Sequence, residues 1–185
     1  MLAFVQALAV FAAIPAAVAA APVASPPLPV VVDGKLASVA LLQASRVSSE
    51  DLKACCPGAK GGLELVFLMR PSGEPVDVTL SPQVETLIDR QPYLAAGEDA
   101  DGPRPKLDVR DVDDLFRRYP DLAARVPQGF KPHLGLIVTI PGTPLPESGQ
   151  VAYSMKLGYH KQLERFSFSF ALPQAPASSP RRPAG

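Results

Sequence analysis

The strictest alternation of apolar and polar positions lies in the C-terminal third of the chain. Val151, Tyr153, Met155, Leu157 and Tyr159 fall at every second position, and Phe166, Phe168 and Phe170 repeat the pattern around Ser167 and Ser169. Successive side chains of a strand point to opposite faces, so this period predicts two half-buried strands. The connection from His160 to Leu163 is short enough to join them as an antiparallel hairpin with one wet face. Before them, Leu134 to Ile140 predicts an apolar strand and Pro141 to Gly149 a loop.

Upstream the pattern mixes periods. Val30-Val31-Val32 opens a predicted strand, and Asp33-Gly34 is a hairpin signal because Gly accepts positive φ. Lys35 to Ala44 fits either the return strand or the start of a helix. Leu63 to Met69 is a dense apolar run of strand length, broken only by Glu64. A turn at 71–75 follows, then Val76, Val78 and Leu80 alternate with Asp77 and Thr79, which predicts a half-buried strand.

Three helical segments are predicted. Ser48 or Ser49 caps a short one reaching Cys56, and Pro57-Gly58 ends it. Ser81-Pro82 opens a second, with Val84, Leu87 and Ile88 as its apolar stripe. Asp108 or Asp111 caps a third, with Val112, Leu115 and Phe116 facing inward. Pro120 breaks it, and Asp121 to Val126 adds a further turn. Residues 96–107, polar with three acidic groups, read as a mobile loop. The order of elements gives an α+β fold, with a mainly antiparallel sheet and short helices packed on one face.

The cadence of residues 61–80 resembles the strand pair in the C-terminal domain of TonB-like energy transducers. The likeness lies in Leu63-Glu64-Leu65-Val66-Phe67-Leu68, the turn at Ser72-Gly73, then Val76 and Val78. The Tyr-Pro that precedes the hairpin in that family is missing, as are its Pro/Lys-rich spacer and charged N-terminus. The resemblance therefore implies a hairpin and no activity.

The start of the chain changes the picture from fold to destination. Asp33 is the first charged residue, and the run from Leu2 to Ala21 is mostly Ala, Val, Leu and Phe. Small residues at Ala17, Ala19, Ala20 and Ala21 suit a cut site, and Pro22 and Pro26-Pro27 follow. This predicts a signal peptide over 1–21, a Pro-rich leader over 22–29, one domain over 30–172 and a disordered Pro-rich tail over 173–185. An uncleaved anchor is the rival reading, since the run is about as long as a spanning helix needs. The absence of Lys or Arg at its start departs from the usual signal pattern. Export places the protein in a periplasm or outside the cell.

Composition narrows the partners. Lys plus Arg balances Asp plus Glu at 18 each, so charge argues for neither nucleic acid nor an anionic membrane surface. No second long apolar run follows, so no membrane association is expected once the leader is removed. Asn is absent, so there is no N-glycosylation acceptor. The chain favours Ala, Pro and Arg, as GC-rich bacterial coding does.

Cys55 and Cys56 are adjacent and are the only cysteines. They are expected as buried thiols, as a vicinal disulfide, or as a link to a second chain. A redox switch or a soft-metal site is the functional reading, since two thiolates suit Cu(I) or Zn(II), although a zinc site normally takes four ligands, often from C-x-x-C pairs, and no such pair is present. Other candidates are weaker. Asp99, Asp101 and Gly102, with Asp108 at the twelfth position, match part of a calcium loop whose first ligand position is Gly97. His133 and His160 are general-base candidates, and Asp111, Asp113 and Asp114 cluster where acids favour a helix start. Arg181-Arg182 would touch an anionic partner only weakly. Tyr153, Tyr159, Phe166, Phe168 and Phe170 form either core or a contact face.

No cofactor is implied. The expected function is an exported, non-catalytic binding module with a protein partner. The alternatives are a secreted hydrolase whose site assembles only in three dimensions, and a thiol-based redox or soft-metal protein using Cys55 and Cys56.

Overall fold

The computed structural model describes residues 27–73, 79–80, 85–95, 104–159 and 162–175. The segment expected as a signal peptide, the calcium-loop candidates Asp99, Asp101 and Gly102, His160 and Arg181-Arg182 lie outside them. So do most of the 96–107 loop and most of the tail.

The described chain forms two antiparallel sheets. The first runs β1 (Val30–Asp33), β2 (Ala37–Val47), β3 (Gly61–Pro71), β8 (Leu134–Gly142) and β7 (Lys106–Asp111) in spatial order. The second runs β10 (Gln162–Ala171), β9 (Gln150–Tyr159), β5 (Glu85–Ile88) and β6 (Gln91–Ala95), with β4 (Thr79–Leu80) also on β9. All paired neighbours are antiparallel. The expected antiparallel character holds, but it is divided between two sheets, and the helices are few and short.

The period-two residues of both sheets meet in one core. Leu63, Leu65 and Phe67 of β3 and Leu136, Val138 and Ile140 of β8 cluster with Val151, Tyr153, Met155, Phe166, Phe168 and Phe170. Two sheets burying their inner faces against each other in this way make a sandwich. The intervening residues of the first sheet face the other way. Ala40, Leu42, Val66, Leu68 and Ile137 form a second cluster with Leu115 of α2 (Val112–Arg118) and Leu122 of a 3₁₀ helix (Pro120–Arg125). A Cβ at Gly135 would lie 2.9 Å from Leu115 Cδ2, so glycine lets α2 sit directly on β8. α1 (Ser49–Leu52) behaves likewise, with Leu52 Cδ1 3.1 Å from the place a Gly62 Cβ would take. The dense run in β3 follows from this layering, because a strand covered on both faces has no wet side.

Several expectations need correction. Glu85–Ile88 is a strand and not part of a helix opened by Ser81-Pro82: Thr86 and Ile88 are buried and alternate with the less buried Glu85 and Leu87. The spacing of Val84, Leu87 and Ile88 suits a helix, but pairing with β6 and β9 wins. Gln91–Ala95, which carried no expectation, is a strand, and Lys106–Asp111 is a strand where the sequence suggested loop and cap. Asp108 lies on β7, while Asp111 stands at the cap position of α2 without a side-chain capping bond. The TonB-like hairpin does not form: β3 pairs with β2 and β8, whereas β4 joins the other sheet through β9.

Other expectations hold with changed reasons. β1 and β2 form the hairpin, and Gly34 N–H donates to Ala37 O at 2.8 Å. Gly34 lies outside the positive-φ region; an added Cβ there would lie 2.6 and 2.8 Å from the Glu164 carboxylate oxygens, so the Glu164 side chain would have to move off its backbone donors. Ser48 caps α1, its Oγ accepting from Asp51 N–H at 3.2 Å. β9 and β10 pair in full register from Gln150–Ala171 to Tyr159–Gln162.

Candidate functional site

The aromatic stripe is core and not a contact face. Tyr153, Phe166, Phe168 and Phe170 are each 3 % exposed or less, and Phe67 packs between Tyr153 and Phe168 with ring centroids at 5.7 and 5.2 Å. The side chain of Tyr159 lies outside the described residues. The same alternation that buries these rings turns Arg165, Ser167, Ser169 and Ala171 of β10 outward, and all four are exposed.

β10 is the edge of its sheet. It is ten residues long and, among the described strands, pairs only with β9. Its first half is tied to the other sheet: Lys35 N–H and Leu36 N–H donate to the two oxygens of Glu164 at 2.7 and 2.8 Å. β1 touches β10, but from Phe166 onward no described strand is hydrogen-bonded to its outer side. That stretch carries no proline and no charged side chain, the two devices that commonly blunt an exposed edge. Beside it, Glu85, Leu87, Ala152, Ser154, Arg165 and Ser167 line a shallow depression of about 170 Å³ on the outer face of the sheet.

A second concavity gathers residues that the sequence considered separately. Asp111, Asp113 and Asp114 at the start of α2, with Arg117 and His133, line an open groove of about 450 Å³. Asp114 is ion-paired with Arg117. The backbone N–H of His133 donates to Met69 O at 2.8 Å, which anchors the segment, while the imidazole is exposed. Among the described residues no Ser, Thr or Cys lines the groove, so it gathers a histidine and three aspartates around one concavity without a side-chain hydroxyl or thiol nucleophile.

Cys55 and Cys56 follow α1 as free thiols with Sγ atoms 2.8 Å apart, one exposed and one buried. Burial, and then the Cys55 thiol beside it, push the Cys56 thiol up to about 11, with Lys106 pulling weakly the other way. Among the described residues no group of three His, Cys, Asp or Glu side chains is placed to hold a metal ion.

One polar network escaped the sequence reading. Tyr119 O–H donates to Glu64 Oε1 at 2.9 Å, Arg118 lies 4.0 Å from Glu64 and 3.8 Å from Asp108, and Arg110 closes on Asp108 at 2.8 Å. Burial first, and then the Glu64 hydrogen bond and charge, push the Tyr119 phenol up to about 12. Its one sequence signal was Glu64 interrupting an otherwise apolar strand. The network ties α2 to β3 and β7 across the outer face of the first sheet.

No family model, no curated protein and no solved structure matches the chain.

Proposed function

We propose that the protein is exported and acts as a non-catalytic binding module, taking an extended segment of a partner protein along the free half of β10. The observation that carries this reading is the strand edge from Phe166 to Ala171, which has no hydrogen-bonded strand beside it among the described residues and carries no charge or proline against pairing. Backbone groups on such an edge supply affinity to any extended chain, and flanking side chains supply selectivity. Here those side chains are Arg165, Ser167 and Ser169, beside the depression at Glu85 and Leu87. Export is supported by the apolar run from Leu2 to Ala21, its small residues and the proline-rich stretch after it.

The test is capture from the source's envelope fraction with the mature protein as bait, against a Ser167→Lys/Ser169→Lys bait. A retained protein whose capture falls by about tenfold with the charged edge supports strand addition, because charge on an edge opposes pairing. Slowed amide exchange along β10 in the complex is the second expected sign. Capture that ignores the charged edge, or a complex that leaves β10 exchange unchanged, overturns the reading. Sequencing the N-terminus of the exported form tests cleavage; retention of Met1 overturns it.

A second reading, a hydrolase using bound water, is favoured by the groove that brings His133 to Asp111, Asp113 and Asp114. Hydrolysis of a test panel of esters, peptides or glycosides that His133→Ala abolishes would replace the binding reading with this one.

A further inference from the structure

We propose that Cys55 and Cys56 form a thiol–disulfide exchange site for low-molecular-weight disulfides of the glutathione type, with Cys55 as the attacking thiol and Cys56 as the resolving one. The site lies in the turn between α1 and β3, uses no residue of β10, and does not depend on the binding reading.

The two thiols differ in access. Cys55 is exposed, whereas Cys56 is 6 % exposed. Attack on a dissolved disulfide requires an accessible sulfur, which selects Cys55 for the first step. Capture of the resulting intermediate requires a second thiol already in place, and Cys56 Sγ stands 2.8 Å from Cys55 Sγ. A sulfur–sulfur bond is about 2.05 Å, so closure needs a further approach of the two sulfurs and a local distortion of the Cys55–Cys56 peptide, since adjacent Cα atoms stand closer than an ordinary disulfide spans.

The backbone holds this juxtaposition. Cys55 N–H and Cys56 N–H both donate to Leu52 O, at 3.1 and 2.8 Å, so both side chains leave one turn. Leu52 is itself fixed, being 1 % exposed and packed over Gly62 of β3. Ala59 N–H donates to Cys56 O at 3.2 Å, and Gly58 takes φ +90° to complete the return. Cys55 Sγ donates to Leu52 O at 3.6 Å, a weak bond that the thiol gives up on reacting.

The steps balance as follows. The Cys55 thiol gives its proton to water, its thiolate attacks one sulfur of the small disulfide, the small molecule's sulfur–sulfur bond breaks, and one thiolate leaves and is protonated from water, as the second one is later. Cys56 then loses its proton to water, and its thiolate attacks Cys55 Sγ. The bond from Cys55 to the small molecule breaks, and a second thiolate leaves. The protein loses two hydrogens, and the small disulfide is reduced to two thiols. The product is a strained eight-membered ring, and strained disulfides are the more readily reduced ones, so the reaction runs backward under excess small thiol.

The experiment treats the reduced full-length protein with oxidised glutathione, quenches with acid and reads intact mass. The tryptic peptide from Ala54 to Lys60 carries both cysteines and locates the product. The wild type is expected to lose two hydrogens and keep no glutathione, and excess reduced glutathione is expected to restore the thiols. C56S is expected to accumulate glutathione on Cys55. C55S is expected to react about tenfold more slowly or less, its remaining thiol being buried. A glutathione adduct that persists on the wild type, a disulfide-linked dimer, or no reaction overturns the proposal. So does a C55S variant that reacts as fast as C56S. Circular dichroism checks that both variants fold; if either does not, the wild-type mass alone decides.

Discussion

Two neighbouring hydroxyls in the sandwich core should weaken the fold, so removing them should strengthen it. Thr86 of β5 and Tyr153 of β9 face each other in register, at 0 % and 1 % exposure. Neither Thr86 Oγ1 nor Tyr153 OH has a hydrogen-bond partner among the described residues. Burial alone pushes the Tyr153 phenol well above its ordinary range, consistent with a hydroxyl stripped of water.

A hydroxyl left buried without a partner costs about 1–3 kcal/mol. Thr86→Val exchanges the hydroxyl for a methyl of similar shape, so it should stabilise by about 1 kcal/mol. Tyr153→Phe keeps the ring stacked on Phe67 but leaves a small void, which offsets part of the gain; about 0.5–1 kcal/mol should remain. For a chain of this size each 1 kcal/mol raises the midpoint by roughly 2–4 °C.

Thermal and urea unfolding of the wild type, both singles and the double variant measure this, with an unchanged urea slope showing that only stability moved. If the hydroxyls are independent, the two gains should add to within about 0.5 kcal/mol. The reasoning is refuted if both singles are destabilised, since each hydroxyl then has a partner. A double variant more stable than either destabilised single would identify that partner as the other hydroxyl.

Three further outcomes follow from contacts already described. Arg46→Ala should destabilise by about 2–4 kcal/mol in urea titration, because the charged guanidinium donates to Pro173 O, Pro146 O and Glu147 O at 2.5, 2.5 and 2.9 Å; Arg46→Lys should recover only part, and full recovery would contradict the fork geometry. Gly34→Ala should cost about 1–2 kcal/mol by pressing a Cβ against the Glu164 carboxylate, and the double variant Gly34→Ala/Glu164→Ala should show little further loss beyond Glu164→Ala; independent, additive costs would remove the steric cause. Spectrophotometric titration should find Tyr93 and Tyr119, each pushed up to about 12 first by burial, still protonated when unfolded tyrosines have ionised, near pH 10. Because both values are raised, the neutral phenols' contribution to stability is whole below about pH 10 and is lost as pH climbs toward about 12; midpoints flat across that window would refute it.

The sequence made some elements plain and hid others for physical reasons. β9 and β10 were legible because one face is buried and the other wet, which prints the backbone period onto composition. α2 was legible through Val112, Leu115 and Phe116, all of which reach the second cluster. β5 was misread because four residues are too few to separate a helical stripe from an alternation, and its pairing is set by distant partners. β7 hid its apolar Leu107 and Val109 among charges, as an edge strand does. The division into two sheets was not legible, since nothing local tells β3 and β9 that they face each other.

The candidate sites follow the same division. Adjacency made Cys55 and Cys56 visible, but which of them is exposed depends on how α1 meets β3. The approach of His133 to Asp111, Asp113 and Asp114 spans the chain between β7 and β8 and has no local signature. Glu64 announced itself as the polar interruption of β3, while its partner Tyr119 did not.

The central placement of β3 bears on how the molecule comes into being. Its inner side, with Leu63, Leu65 and Phe67, is roofed by β9 and β10, which a ribosome delivers long after β3 itself. Every such contact spans a long stretch of sequence, a topology associated with slow folding. A nascent chain stopped before Gln150 would present those side chains to water beside Leu136, Val138 and Ile140. A copy lacking β9 and β10 would thus expose the apolar surface that chaperones and proteases recognise.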